Sequence, residues 1–297
     1  MMNERLSAWM RSGMFFQYQG RRVFVRQGGS GPSLLLIHGY PTSSFDWHAV
    51  WDELTQHYRV IAPDMLGMGF SDKPIDATYN LAEHADLHEA VLDRLGIPAT
   101  FVLAHDQGVS VAQEMLARRT GAHALATIEA VALLNGGLFP EMYRPRIIQH
   151  LLSSPLGSWI GPRVPRGAFE RSVRSLFGPH TPPSAQLLQE FWELLNFNEG
   201  RKVTHRVGRF YIERLRLRER LTRPLLQQTT PVRLINGSQD PNSGRHMAQR
   251  YQSLVPGADI VSLETIGHWP QIEAPQAVVE AVHEFFNKRQ FALRNTL

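Results

Sequence analysis

Cysteine is absent from the 297 residues. Disulfide bonds, metal-binding thiolates and a cysteine nucleophile are therefore excluded. No run approaches the roughly 18 apolar residues that cross a bilayer. The first residues carry Glu4 and Arg5 and lack the apolar region of a signal peptide. We therefore expect a cytoplasmic protein with no membrane span.

Two kinds of cofactor site are also missing from the sequence. Gly67-x-Gly69 lacks the third glycine of a dinucleotide fingerprint, and His84 and His88 lack the glutamate of H-E-x-x-H. We therefore predict no cofactor and no metal. The net charge of +4 is mild for this length and does not indicate nucleic acid. The eight arginines between 201 and 223 are typical of a solvated helix face, with an anionic surface or substrate as the alternative.

Short apolar runs alternate with helical patterns over most of the chain, which indicates parallel βαβ units. A hairpin at 14–27 precedes the runs at 33–37, 59–62, 101–104, 128–134, 232–236 and 259–263. The alternation fails between 138 and 228, where helical patterns cover 184–197 and 201–221. We predict an α/β core of residues 1–137 and 229–297, with a mostly parallel sheet flanked by helices. A helical cap, 138–228, is inserted after the sixth strand.

One turn joins a buried strand at 101–104 to a helix that starts almost at once. It reads Ala104-His105-Asp106-Gln107-Gly108, the spacing of a nucleophile elbow with aspartate where G-x-S-x-G has serine. An aspartate at a helix start is more often a simple cap. The elbow needs an acid and a base later in the chain, in that order. Asp240 follows the strand at 232–236, and His268 follows the next strand.

These residues carry a resemblance to the α/β hydrolase superfamily over nearly the whole length. The matching stretches are His38-Gly39-Tyr40-Pro41, the Asp64-x-x-Gly67-x-Gly69-x-Ser71 loop, the elbow, Asp240 and His268. An H-G-x-P motif joined to an aspartate nucleophile resembles the epoxide hydrolase and haloalkane dehalogenase branch. Within it the chain most resembles bacterial relatives of the mesoderm-specific transcript proteins, as in Asn135-Gly136-Gly137-Leu138-Phe139-Pro140-Glu141.

The resemblance implies an alkyl ester on Asp106, hydrolysed by water that His268 activates with Asp240 as its acid. It implies an oxyanion hole from the backbone N–H groups of Tyr40 and Gln107. Substrate contacts would come from four residues near the motifs: His38, Pro41, His105 and Trp269.

Three hypotheses about the function remain, and the leaving group separates the first two. An epoxide needs a proton donor, for which Tyr211 has the spacing of a cap tyrosine and Tyr143 is the weaker candidate. A haloalkane needs halide donors, and Gln107 and Tyr40 occupy the positions where dehalogenases typically carry them. A sensor that keeps the pocket but turns over slowly is the third. We expect a small hydrophobic substrate such as an epoxide, and a homodimer is compatible with the sequence.

Overall fold

The computed structural model describes residues 2–119 and 126–294. In this part of the chain, eight strands form one sheet in the order β1-β2-β4-β3-β5-β6-β7-β8. The first two strands pair antiparallel, as do β2 and β4, and the remaining neighbours are parallel. The strands are β1 Gly13–Tyr18, β2 Arg21–Gly28, β3 Ser33–Ile37, β4 Arg59–Pro63, β5 Ala99–Ala104, β6 Thr127–Leu133, β7 Val232–Gly237 and β8 Asp259–Leu263.

Helices cover both faces of this sheet, which confirms the predicted fold class. They are α1 Glu4–Arg11, α2 Trp51–His57, α3 Leu81–Arg94, α4 Gln107–Arg118, α5 Ile147–Ser153, α6 Gly157–Ile160, α7 Arg166–Arg174, α8 Ala185–Asn196, α9 Thr204–Val207, α10 Phe210–Arg216, α11 Arg218–Gln227, α12 Arg245–Leu254, α13 Pro270–Glu273 and α14 Pro275–Arg294. Short 3-10 turns cover Ser44–Trp47, Pro140–Met142, Gly161–Arg163 and Phe197–Lys202. Within the described residues, every helix is too short or too polar to cross a membrane.

The central strands are mostly apolar because both of their faces are covered. In β3, Leu35 and Ile37 pack into one core, whereas Leu34 and Leu36 pack into the core on the other face. Successive strand residues point to opposite faces, so one apolar run supplies both cores.

Two predicted helices are interrupted in the structure. The spacing of Trp47, Val50, Trp51 and Leu54 predicts one helix at 45–57, but the structure has the 3-10 turn Ser44–Trp47 followed by α2. The pattern at 201–221 is split into three helices. Gly208 ends α9 where the chain passes Tyr40, whose hydroxyl would lie 3.2 Å from a Cβ at that position. The helical period was visible in the sequence, but this close approach was not.

Seven helices, α5 to α11, lie between β6 and β7, and we call residues 138–228 the inserted segment. A third apolar cluster joins this segment to the core: Phe169, Phe177, Leu188 and Phe191 pack with Trp269. Trp269 is adjacent in sequence to His268. The packing therefore holds the inserted segment against the loop that carries the predicted base.

We predict that Gly108→Ala destabilises the fold. A Cβ at this position would collide with the carbonyl oxygens of Ile37 and His38, and backbone atoms cannot turn aside as a side chain can. Overpacking of this kind costs roughly 1–3 kcal/mol. Gly167→Ala is the matched control, because this glycine is exposed and only the end of Arg171 comes within 4 Å. In urea unfolding, the midpoint concentration should fall for Gly108→Ala and stay at the parent value for Gly167→Ala. Equal midpoints for the two variants would contradict the close approach at Gly108.

Candidate active site

The carboxyl ends of parallel strands bring the three predicted catalytic residues to one edge of the sheet. Asp106 follows β5, Asp240 follows β7 and His268 follows β8. All three side chains are at least 96% buried. The structure therefore places together residues that lie up to 162 positions apart in sequence.

Asp106 occupies a strained turn. Its φ of 48° and ψ of −110° are rare for a residue with a side chain, and such strain concentrates at functional sites. The Asp106 N–H donates to the Asn135 carbonyl over 2.8 Å. The turn also requires a glycine at position 39, because a Cβ there would lie 2.6 Å from the Asp106 Cβ. These contacts hold the carboxylate at the start of α4.

The two carboxylate oxygens of Asp106 face different partners. Oδ2 accepts a hydrogen bond from the Tyr40 backbone N–H at 3.0 Å. Oδ1 lies 3.9 Å from His268 Nε2, too far for a direct hydrogen bond. The other predicted oxyanion donor, the Gln107 N–H, begins α4 directly after Asp106, and its role stays a prediction.

His268 is held by a buried carboxylate. Its Nδ1 donates to Asp240 Oδ2 over 2.8 Å, which leaves Nε2 turned toward Asp106. Burial alone would lower the pKa of His268, but the charges of Asp240 and Asp106 outweigh it and raise this pKa to about 9. Burial likewise works against ionised Asp240, yet His268 and the surrounding donors lower the Asp240 pKa to about 2.

Asn135 fixes the acid, a role the sequence did not reveal. Its Nδ2 donates to Asp240 Oδ2 at 3.0 Å, and its Oδ1 accepts from the Gly237 N–H at 2.6 Å. Ser243 adds a hydroxyl donor at 2.6 Å. Asn135 thus ties the end of β6 to the end of β7 and orients the carboxylate toward His268.

A cavity of about 630 Å³ opens above these residues. Asp106 and His268 form part of its floor, and the inserted segment supplies most of its wall. Of the four predicted substrate contacts, Pro41 and Trp269 line this cavity.

The other two predicted contacts, His38 and His105, lie behind the cavity wall. His38 Nε2 accepts from the Met65 N–H at 2.9 Å, and its Nδ1 bonds the Gly39 carbonyl at 2.8 Å. His105 Nε2 bonds the His268 carbonyl at 2.7 Å. The structure therefore corrects the expectation of substrate contact: both rings are turned away by backbone partners and support the loops of the site.

The two candidate tyrosines have different surroundings. Tyr143 lines the cavity, and its hydroxyl oxygen accepts a hydrogen bond from Gln149 Nε2 at 2.8 Å. Tyr211 is absent from the cavity wall, and its hydroxyl lies 3.3 Å from His150 Nδ1. The sequence ranked Tyr211 first on its spacing, whereas the structure places Tyr143 beside the site.

Arg214 departs from the solvated helix face expected for the arginine-rich stretch. It is fully buried, its three guanidinium nitrogens make no hydrogen bond of normal geometry within the described residues, and the Tyr143 side chain is the group whose hydrogen bonding favours its charge. The guanidinium lies over the Tyr143 ring, 4.3 Å from its centre, and packs against Gly137, where a Cβ would collide with it. Burial lowers the pKa of Arg214, while Tyr143 and Asp106 favour its charged form. A buried cation with so little polar support is costly, and the groups that favour its charge, Tyr143 and Asp106, lie at the candidate site.

The fold around this site is also that of the proteins to which the chain is similar. Residues 32–275 match the family model for the alpha/beta hydrolase fold. The mesoderm-specific transcript homolog protein of Homo sapiens is 36% identical over 95% of this chain and 88% of its own length. A putative hydrolase of Mycobacterium tuberculosis, LipZ, is 39% identical over 92% of this chain and 95% of its own.

Solved structures repeat the fold at lower identity. A haloalkane dehalogenase loop variant from Bradyrhizobium elkanii superposes with a TM-score of 0.80 at 22% identity, covering 96% of this chain and 99% of that one. The epoxide hydrolase CorEH gives a TM-score of 0.75 at 22% identity, over 93% and 98% of the two chains. The chain therefore belongs to the alpha/beta hydrolase family and is a homologue of the mesoderm-specific transcript proteins and LipZ.

Proposed function

We propose that this hydrolase uses Asp106 as a nucleophile toward carbon, through an alkyl ester, and that its substrate is a small hydrophobic epoxide. One observation carries the proposal: the Asp106 carboxylate reaches the cavity with Oδ2 on the Tyr40 amide and Oδ1 on the His268 side. The inserted segment acts as the cap over the site and leaves an opening to the cavity.

In the first step, the free Oδ1 of Asp106 attacks an epoxide carbon. A carbon–oxygen bond forms to Asp106 as the ring bond breaks, and its electron pair goes to the epoxide oxygen. The Tyr40 N–H holds Oδ2 meanwhile, so the carboxylate keeps its orientation. No proton leaves Asp106, and therefore this step needs no base.

In the second step, His268 Nε2 removes a proton from water, whose oxygen adds to the Asp106 carboxyl carbon. Negative charge then develops on Oδ2, where the Tyr40 N–H already donates at 3.0 Å. The ester bond breaks and the product oxygen takes the proton from His268. The Asp106 carboxylic acid left behind keeps the second proton of the water and releases it to solvent, which restores the carboxylate. Asp240 stabilises the imidazolium that forms in between.

Tyr143 supports an epoxide as the substrate, because the proton of its hydroxyl is free to be donated. Its oxygen accepts from Gln149 Nε2, so its own O–H remains available to an oxygen in the cavity. The opening ring would otherwise release a bare alkoxide into a buried site. With the proton from Tyr143, it leaves as an alcohol, and the phenolate recovers a proton from solvent.

Arg214 strengthens this donor. Burial and the Asp106 charge raise the pKa of Tyr143, and the Arg214 guanidinium over its ring opposes them by favouring negative charge on the phenolate. As alkylation proceeds, charge moves from Asp106 to the epoxide oxygen and its donor, and Arg214 lies where it attracts that charge. This function explains a buried arginine that packing alone would not require.

A haloalkane is the second candidate, supported by Trp269. This residue lines the cavity, and its indole Nε1 makes no hydrogen bond within the described residues, but the nitrogen is buried and donates to a halide only if the ring turns toward the cavity. Gln107 is buried outside the cavity wall and offers no second donor there. Release of halide from a haloalkane, measured beside epoxide hydrolysis, distinguishes the two substrates.

We predict that His268→Gln traps the ester. Alkylation needs no base, whereas hydrolysis does, so incubation with a terminal epoxide should add its full mass to the protein. Peptide mass spectrometry should locate the addition on Asp106. The control Asp106→Asn should carry no addition, and sustained multiple turnover by His268→Gln would contradict the assigned base.

We predict that Tyr143→Phe slows alkylation by an epoxide by roughly 10²–10⁴-fold, the usual worth of general acid help. The ring remains, so packing under Arg214 is preserved. Tyr211→Phe is the matched control and should change the rate little, because its hydroxyl faces His150. Quenching the reaction at intervals under single-turnover conditions measures the alkylation rate of each variant. A larger effect at Tyr211 would reverse the assignment.

We predict that only the second step depends on pH. In the resting enzyme Asp240 and Asp106 together raise the His268 pKa to about 9. Esterification removes the Asp106 charge, so the pKa falls and the base becomes available. Decay of the ester should therefore speed up with rising pH and level off with a midpoint below 9, while alkylation stays flat. Ester decay independent of pH would argue against His268 as the base.

A further inference from the structure

An apolar surface lies beside the mouth of the cavity. Four large side chains are strongly exposed within thirteen residues of the inserted segment: Ile147 at 80%, Leu151 at 46%, Leu156 at 64% and Trp159 at 61%. We call them the apolar rim. Solvated apolar side chains are ordinary when they are scattered, but a cluster indicates an interaction surface.

Helix α5 connects the rim to the cavity. Ile148 and Leu152 line the cavity, whereas Leu151 is exposed on the same helix. Ile147 does both, since it lines the cavity and is the most exposed member of the rim. It therefore stands at the edge of the opening, and whatever covers the rim also meets the entrance.

The charge around the rim is mostly positive. Between positions 144 and 183 six arginines stand against a single carboxylate, Glu170, which already pairs with Arg166. Arg163 lies over the Trp159 ring, 4.7 Å from its centre. Arg144 and Arg171 are exposed, and Arg171 also lines the cavity.

We propose that the apolar rim binds the surface of an anionic lipid membrane, with the mouth of the cavity facing the lipid. Aliphatic side chains and a tryptophan bordered by arginines match the two layers of such a surface, acyl chains below and phosphates above. Tryptophan favours the boundary between them. A second copy of the chain fits less well, because it would bring like charges together.

This surface serves the cavity whatever reaction takes place inside it. A small apolar molecule concentrates in a bilayer, so an entrance at the lipid surface meets more of it than one facing water. Membrane binding and the chemistry of Asp106 are separate properties, and either can fail without the other.

Flotation of the full chain with lipid vesicles tests the proposal. The protein should float with vesicles of phosphatidylcholine and phosphatidylglycerol, less with phosphatidylcholine alone, and less again at high salt. Emission of the bound protein should shift to shorter wavelength, and the shift should be lost in Trp159→Phe, since Trp159 is the most exposed of the six tryptophans.

Ile147→Asp should weaken binding about tenfold or more, because a carboxylate replaces the apolar group and faces the lipid phosphates. Ile75→Asp is the matched control: it is an exposed isoleucine, at 69%, outside the inserted segment, and should bind as the parent does. Failure of the parent to float, or equal binding by both variants, would overturn the proposal. Sedimentation would also overturn the proposal if the parent protein were a dimer and Ile147→Asp a monomer, because a second copy of the chain would then cover the rim.

Discussion

The strained backbone at Asp106 is the constraint on which the site depends. An aspartate at φ 48° and ψ −110° persists only where its surroundings leave no relaxed alternative. Here the limits are a hydrogen bond to the Asn135 carbonyl and glycines at 39 and 108, where side chains would collide with the neighbouring backbone or with Asp106 itself. The strain aims a carboxylate into a cavity instead of letting it cap its own helix. Every proposed chemical step begins from that orientation.

Around this turn, buried charges are arranged on two sides. Asp106 and Asp240 flank His268 and favour its protonated form, and Asn135 holds Asp240 in place. On the side of the inserted segment, Arg214 stacks on Tyr143. During the proposed alkylation the negative charge would leave Asp106 for the donor beside Arg214. The same movement would release His268 to act as a base, so each step prepares the next.

The parts of this site that follow local rules could be predicted from the sequence. The elbow spacing, the strand before Asp240 and the loop of His268 each occupy a few consecutive residues, and the parallel sheet then brings them to one edge. Ring orientation could not be predicted in this way. His38 and His105 turn toward backbone groups of Met65 and His268, contacts that no spacing reveals.

The inserted segment was harder to predict, because its short helices pack by side-chain contacts instead of a repeating sheet. Spacing favoured Tyr211, but the position of Tyr143 depends on Gln149, Arg214 and Gly137 meeting at one point. Arg214 looked like one of eight surface arginines. Gly137 lies in the run that carries the family resemblance, but nothing in the sequence identified Arg214 as its neighbour.

Oxygen isotopes test the alkyl-ester route most directly. A single turnover of epoxide in water enriched in oxygen-18 should give a diol without the label, because its new oxygen comes from Asp106. The label should appear instead in the Asp106 peptide, since water attacks the carboxyl carbon. A labelled diol with an unlabelled Asp106 peptide would mean that water attacks the substrate directly, and would contradict the account.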